Sequence, residues 1–307
     1  MSVSIGPRVK QQSRPQKRMP DVPPWARHLI GGRTRNFSTM HLDVTVYEGK
    51  SASLVSVKVP LAGKLPATDF QQQTATAYQQ IRSIVSELPH KHPVRFWNIL
   101  PDIHQQLDLN RDRYMVFNTG RFQAFTEWFG QPESFGSRLP AASAVGSDDD
   151  ALSIHCLSMG KPGTALENPR QISAFHYSSQ YGPQPPCFAR ATIVNDPMPM
   201  LIAAGTASII GEHSVHADHL HQQIDETIEN LRTLIVRALG KDEGRAALKR
   251  FTDVRIYYPR KNDQPMIETA FRKLLLPDVT LQMMHAQLCR SNLLVEVEGI
   301  ATLEALQ

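Results

Sequence analysis

Two long apolar stripes at helical spacing, each running into a strand that begins Val-Arg, restrict this 307-residue chain to a small set of architectures. The first stripe, Phe70, Thr74, Ala77, Ile81, Val85 and Leu88, advances by three or four residues per step and predicts an amphipathic helix from Thr68 to Leu88. The second, Leu220, Ile224, Ile228, Leu231, Ile235 and Ala238, predicts another from about Ala217 to Leu239. Val94-Arg95-Phe96-Trp97-Asn98-Ile99 follows the first helix and Val254-Arg255-Ile256-Tyr257-Tyr258 the second, in phase, as strands. Strand-like runs also precede each helix: His41 to Tyr47 and Ser53 to Val59 before the first; Leu152 to Leu157, Gln171 to Phe175, Pro186 to Val194 and Met200 to Ile209 before the second. A helix from Gln264 to Leu275 and strands Thr280 to Leu288 and Leu293 to Thr302 complete the chain. The expected fold class is therefore α/β (α+β), with two related α/β units whose mixed sheets each pack against long helices.

A chain of this length can bury two cores. The acidic, small-residue segment Ala141 to Asp150 marks the expected boundary. The expected division is a basic tail over residues 1–35, rich in Pro and Gln, an N-terminal α/β domain over 36–145 and a C-terminal domain over 146–307. Trp25, Leu29 and Ile30 are the tail residues suited to dock on the body.

Charge looks at first like a nucleic-acid signal, since the pI is about 9.0. Residues 1–18, however, contain Arg8, Lys10, Arg14, Lys17 and Arg18 and no acid, so this segment alone exceeds the whole chain's net charge of +4. Basicity confined to a tail of this composition argues for a solvated segment and against a nucleic-acid partner. No run of 18 apolar residues is present, so no membrane partner is expected. Met-Ser-Val-Ser-Ile-Gly-Pro-Arg lacks the apolar core of a secretory leader. Cys156, Cys187 and Cys289 are the three cysteines, an odd number without metal-ligand spacing, as expected of a cytoplasmic protein.

Two regions carry candidate chemistry. On Leu293 to Ile300, strand alternation puts Leu294, Glu296 and Glu298 on one face. Either that face is the solvated side of an edge strand, or one glutamate lines a pocket. The segment Asn168 to Ala191 joins Arg170, Tyr177, Tyr181 and Arg190 with a Pro/Gly-rich loop, either an ordinary surface loop or a ligand-contacting one.

The closing run Cys289-Arg290-Ser291-Asn292-Leu293-Leu294-Val295-Glu296-Val297-Glu298 resembles the signature strand of the YjgF/Rid family, in which the first glutamate of the pair faces the ligand cleft. Arg95-Phe96-Trp97-Asn98-Ile99-Leu100-Pro101, Tyr114-Met115-Val116-Phe117-Asn118-Thr119-Gly120-Arg121, Leu139 to Gly146, and Gly205-Thr206-Ala207-Ser208-Ile209 with Gly211, His213, Ser214 and His216 resemble blocks of the FkbO-type chorismatases. These are two-domain, cofactor-independent enzymes with a YjgF-like catalytic part, and the likeness runs from about Trp25 to Ala301. It implies cleavage of chorismate, a small-molecule dianion, at its enolpyruvyl ether, releasing pyruvate.

By matching motif positions, Arg121, Arg190 and Arg260 are the expected carboxylate-binding cations, with Tyr177 and Tyr181 as hydrogen-bonding neighbours. Arginine suits this task because its planar fork grips a carboxylate bidentately. Glu296 is the expected acid, since the ether breaks only when its terminal methylene carbon is protonated. An ordinary glutamic acid is only about 0.2% protonated at pH 7, whereas burial that raises its pKa to about 6 would bring the acid form to about 10%. In the family, the residue beside the acid on the preceding strand is a Cys in members that form 3-hydroxybenzoate. Counting back places His285 there, with Gln287 where an Asp is usual. A histidine can also shuttle a proton, so 3-hydroxybenzoate is the expected product. The alternatives are hydrolysis to a 3,4-dihydroxycyclohexa-1,5-dienoate and, from another class, a non-catalytic YjgF-like ligand-binding protein.

No metal is expected. His213, His216, His219 and His221 do not share one helical face, and Asp148, Asp149 and Asp150 alternate in direction. Because a two-unit chain can form internally the cleft that YjgF relatives form between subunits, a monomer is expected.

Overall fold

Residues 21–39 and 41–304 are described by the computed structural model. Residues 1–20, most of the predicted tail, lie outside them. The rest of that predicted tail, 21–35, is a correction, because it belongs to the body. Helix α1 (Pro24–Leu29) starts on a proline at its first position, where the missing N–H costs nothing, and buries Trp25 and Ala26. The Trp25 ring sits 5.8 Å from that of Trp97.

The first unit is a sheet with helices on one face. Its strands are β1 (Arg33–Ser38), β2 (Asp43–Glu48), β3 (Ala52–Val59), β4 (His92–Pro101), β5 (Ala141–Ser147) and β6 (Leu152–Met159), in the spatial order β1-β2-β3-β6-β4-β5. Between β3 and β4 runs α2 (Ala67–Glu87), and between β4 and β5 run α3 (Arg113–Phe129) and the short α4 (Phe135–Arg138). The predicted stripe is the buried face of α2: Phe70, Thr74, Ala77 and Ile81 are fully buried and pack with Phe96, Phe117 and Phe125. Burying one such aromatic side chain contributes roughly 1.5–3 kcal/mol, which is why the stripe decides where the helix lies.

The second unit repeats the plan. Its sheet contains β7 (Thr164–Leu166), β8 (Ala191–Val194), β9 (Met200–Ala207), β12 (Phe251–Tyr258), β13 (Thr280–His285) and β14 (Glu296–Thr302). The hairpin β10 (Ile209–Ile210) and β11 (His213–Ser214) stands apart. Helix α5 (Leu220–Leu239) precedes β12, and α6 (Gln264–Arg272) follows it. Read from β7, the order is β7-β8-β9-β14-β12-β13, strand for strand that of the first sheet. In both units the pair after the long helix is parallel, β4 with β5 and β12 with β13, and the last strand inserts antiparallel between the third and fourth.

Three further expectations are corrected. The boundary at 145/146 falls inside the first unit, because β6 inserts between β3 and β4. The acidic Ser147 to Asp150 stretch is the turn joining β5 to β6, and Lys58 and Lys64 pair with Asp149 and Asp150. Gln171 to Phe175, read as a strand, is loop and 3-10 turn, and β14 begins at Glu296, not Leu293.

The sheets meet along β5 and β8–β9. Ala141 bridges Ala189, and the Ala141 N–H donates to Thr192 Oγ1 at 2.9 Å. Trp97, Leu157, Ile202 and Ile300 share one apolar cluster across this seam.

Candidate active site

Glu296 is the first residue of β14, opposite Ala207 on β9 and Tyr257 on β12. It is 4% exposed, so the solvated-face reading of the strand does not hold. Its carboxyl lies over Gly205, where a methyl group would overlap Oε1. A side chain at 205 would displace the acid, which is the physical reason for glycine in the interior of β9. Burial, reinforced by the charge of Glu298 and opposed by Arg95 and Arg190, pushes the Glu296 carboxyl up to about 8.

The carboxyl opens on a cavity of about 470 Å³ whose walls come from both units. From the first come Tyr114 and Met115 at the start of α3, and from the second Gly205, Ala207, Glu296 and the 289–293 loop. An inner lobe of about 30 Å³ shares Tyr114, Gly205, Cys289 and Glu296 and reaches Arg121 and Ser143.

Cations and tyrosines form one wall. Arg190, 4% exposed, donates from Nη2 to Tyr177 Oη at 2.6 Å and to the Ile172 carbonyl at 2.9 Å. Its guanidinium carbon lies 5.1 Å from the Phe188 ring centre. The Tyr177 and Tyr181 rings are 5.2 Å apart, and the Arg290 guanidinium carbon lies 3.9 Å from the centre of Tyr181. Arg290 Nη1 donates to the Glu212 carbonyl at 2.8 Å, while the Glu212 carboxylate accepts from Ser178 N and Oγ, both at 2.7 Å, and from Gln180 Nε2 at 2.8 Å. Glu212 thus ties the tyrosine loop to the cavity wall. Arg121 is 1% exposed at the inner lobe, where Nη2 donates to Asn118 Oδ1 at 2.8 Å. Nε of Arg121 and Nε of Arg190 are buried without a hydrogen-bond partner among the described residues. Buried donors of this kind favour an anionic guest, because leaving them unpaired costs roughly 1–3 kcal/mol each.

Five of the seven residues singled out in the sequence thus surround one cavity: Glu296, Arg121, Tyr177, Tyr181 and Arg190. The other two do not. Arg260 is half-exposed and pairs with Asp218 at 2.9 Å, away from the cavity. His285, the last residue of β13, is exposed, with Nε2 3.2 Å from the Pro259 carbonyl, and it borders a different cavity of about 300 Å³. The expectation for it assumed that β13 continues to Leu288. The strand ends at 285 instead, and the following loop brings Cys289 beside Glu296. Burial pushes the Cys289 thiol up to about 12, with the Glu296 charge adding and Arg290 and Arg190 opposing. Sequence reasoning passed over Cys289, Arg290 and Tyr114 as site residues. The first two lie in the very run that carries the YjgF/Rid likeness, and Tyr114 lies in the same block as Arg121.

The family model described as "Chorismatase FkbO/Hyg5-like, N-terminal" matches residues 32–158, ending one residue before β6 does. A 3-hydroxybenzoate synthase of Streptomyces hygroscopicus is 29% identical over 252 residues, 78% of this chain and 72% of that protein. A chorismatase of Streptomyces rapamycinicus is 27% identical over 254 residues, 79% and 72% of the two chains. In fold, a chorismatase crystal structure superposes with a TM-score of 0.75 at 24% identity, covering 87% of this chain and 79% of the other. Over residues 32–158 the chain matches the FkbO/Hyg5-like chorismatase model, and over three quarters of its length it is similar to proteins named as chorismatases or a 3-hydroxybenzoate synthase.

Proposed function

We propose that the protein cleaves chorismate to pyruvate and 3-hydroxybenzoate. The observation that carries the reading is Cys289 beside a high-pKa Glu296 in a cavity walled by buried arginines. Chorismate brings two carboxylates and an enol ether. The free Nε donors of Arg190 and Arg121 and the guanidinium of Arg290 suit the carboxylates. With a pKa of about 8, the Glu296 carboxyl is about nine-tenths protonated at pH 7, and so is poised to protonate the methylene carbon of the ether.

The product follows from proton accounting. Chorismate and the pair pyruvate plus 3-hydroxybenzoate contain the same atoms, so this outcome consumes no water. The ring's own hydroxyl captures the electron-poor centre, and aromatisation returns one ring proton for the one given to the methylene carbon. Hydrolysis to the dienoate needs a water and no acceptor for a ring proton. Cys289, a thiol at rest, is suited to relay: it takes the ring proton on sulfur as its own passes to the Glu296 carboxylate, restoring the acid. The relative at 29% identity is itself named a 3-hydroxybenzoate synthase. Since one chain supplies both walls of the cavity, a monomer suffices for this chemistry.

Chromatography of the products from chorismate tests the proposal. Equimolar pyruvate and 3-hydroxybenzoate are expected, and Cys289→Ala should lower 3-hydroxybenzoate formation about 30-fold, with dienoate appearing in its place. Dienoate as the main product of the unaltered protein would overturn the assignment of product, and no pyruvate at all would overturn the enzymatic reading.

A further inference from the structure

The acid has a second carboxylate for a neighbour. Glu298, two residues along β14 and 2% exposed, is held entirely by the other unit: Arg95 Nη2 donates to Oε2 at 2.6 Å, Trp97 Nε1 donates to Oε1 at 2.8 Å, and Ser143 Oγ donates to Oε2. Arg95 Nη2 also donates to Ser143 Oγ at 2.5 Å. All three partners donate, and one is a cation, the arrangement that suits a carboxylate. Breaking such a buried pair by removing one partner would leave the other charge uncompensated.

We propose that Glu298 is a positioning residue for the acid: its charge, clamped by β4 and β5 of the first unit, cancels Arg95 and keeps the proton on Glu296. The inference rests on the chorismate-cleaving reading for its purpose. The charged and titratable groups around Glu296 are Glu298 on its own strand, Tyr257 opposite it on β12, Arg95 on β4, Arg190 before β8, Cys289 and Arg290 on the 289–293 loop, Tyr114 and Arg121 on α3, and, elsewhere on the cavity wall, His104, Asp112, Tyr177, Tyr181 and His213. Four of these are guanidinium groups, of which Arg95 and Arg190 favour the ionised acid. Of the two carboxylates, Glu298 is the one whose charge acts on Glu296, and Arg95 is paired with it. Neutralising Glu298 removes a repulsion and bares a cation at once, and both changes draw the proton off Glu296.

Glu298→Gln keeps the shape and the Trp97 bond. The alkaline limb of its kcat–pH profile should move down by about one pH unit or more, so that turnover stays within about threefold of the native enzyme at pH 6 and falls about fivefold or more below it at pH 8. Removing both charges, in Arg95→Met with Glu298→Gln, should return the limb most of the way, and Glu298→Asp should leave it in place. A purely structural role predicts the same loss at every pH. Infrared titration of the buried carboxylic C=O band, taken as the difference between native protein and Glu296→Gln and repeated in the Glu298→Gln background, reads the same shift without substrate. An unmoved infrared midpoint would overturn the inference even if chorismate turns over normally. A shifted midpoint with no pyruvate from the native protein would overturn the substrate reading alone.

Discussion

Aligned on Val94-Arg95 and Val254-Arg255, the two units place His155 where the second has Glu296 and Leu157 where it has Glu298. His155 is as buried as the acid, but its Nδ1 lies 2.7 Å from Ser56 Oγ on the adjacent strand, and burial, reinforced by Arg255, pushes the imidazole down to about 4. At the Ser56 position the second unit has Ala207. Strands β3 and β6 pair without interruption from Ala52 to Val59, whereas β9 and β14 shift register between Val297 and Gly299. The two sheets share one topology. Chemistry separates them: in one, the central polar group is satisfied from within its own sheet, and in the other it faces a cavity beside a carboxylate that raises its pKa.

That contrast can be broken by substitution. Gly205→Val fills the space under the Glu296 carboxyl, which the first unit leaves to apolar packing. Pyruvate release from chorismate should fall about a thousandfold with the fold retained, as circular dichroism would verify, because a displaced acid forfeits its whole contribution.

The stability cost of the acid sharpens the comparison next. The folded Glu296 pKa of about 8 lies above its ordinary 4.5. Stability from this group is therefore fully present below pH 4.5 and is lost as pH rises toward 8. Glu296→Gln escapes the loss, so denaturant unfolding at pH 7 should show it about 3 kcal/mol more stable than the native chain, with the difference gone near pH 4.5. A variant no more stable at pH 7 would place the pKa near the ordinary value.

Smallest are the effects at positions the structure moves away from the cavity. His285→Ala and Arg260→Ala should each leave kcat/KM within about twofold, since neither side chain touches the cavity and surface pairs such as Arg260 with Asp218 contribute little.

How far the sequence discloses this arrangement depends on whether a signal is local. The α2 stripe and the two Val-Arg strands are periodic, and the periodicity survives folding. Helix α3 is hidden because its buried face includes Arg121, Asn118 and Gly120, which interrupt the apolar pattern. Gly120 is there because α2 passes so close that a methyl group would meet the Gln71 carbonyl and Thr74. Membership of β6 in the first sheet is a pairing between distant segments, and nothing in Leu152 to Met159 announces it. Glu296 is legible from the strand that bears it. Cys289 is not, because what brings it to the acid is the path of a ten-residue loop, 286–295, between β13 and β14.

The central claim is that one protonated carboxyl, at the position where the first unit has a sealed histidine, carries the reaction. Its most direct test is pyruvate release from chorismate at pH 7 by Glu296→Gln and His155→Gln, measured side by side with the native protein. The account predicts a loss of about a thousandfold for the first and about threefold or less for the second. Turnover by Glu296→Gln within a few-fold of native would contradict it.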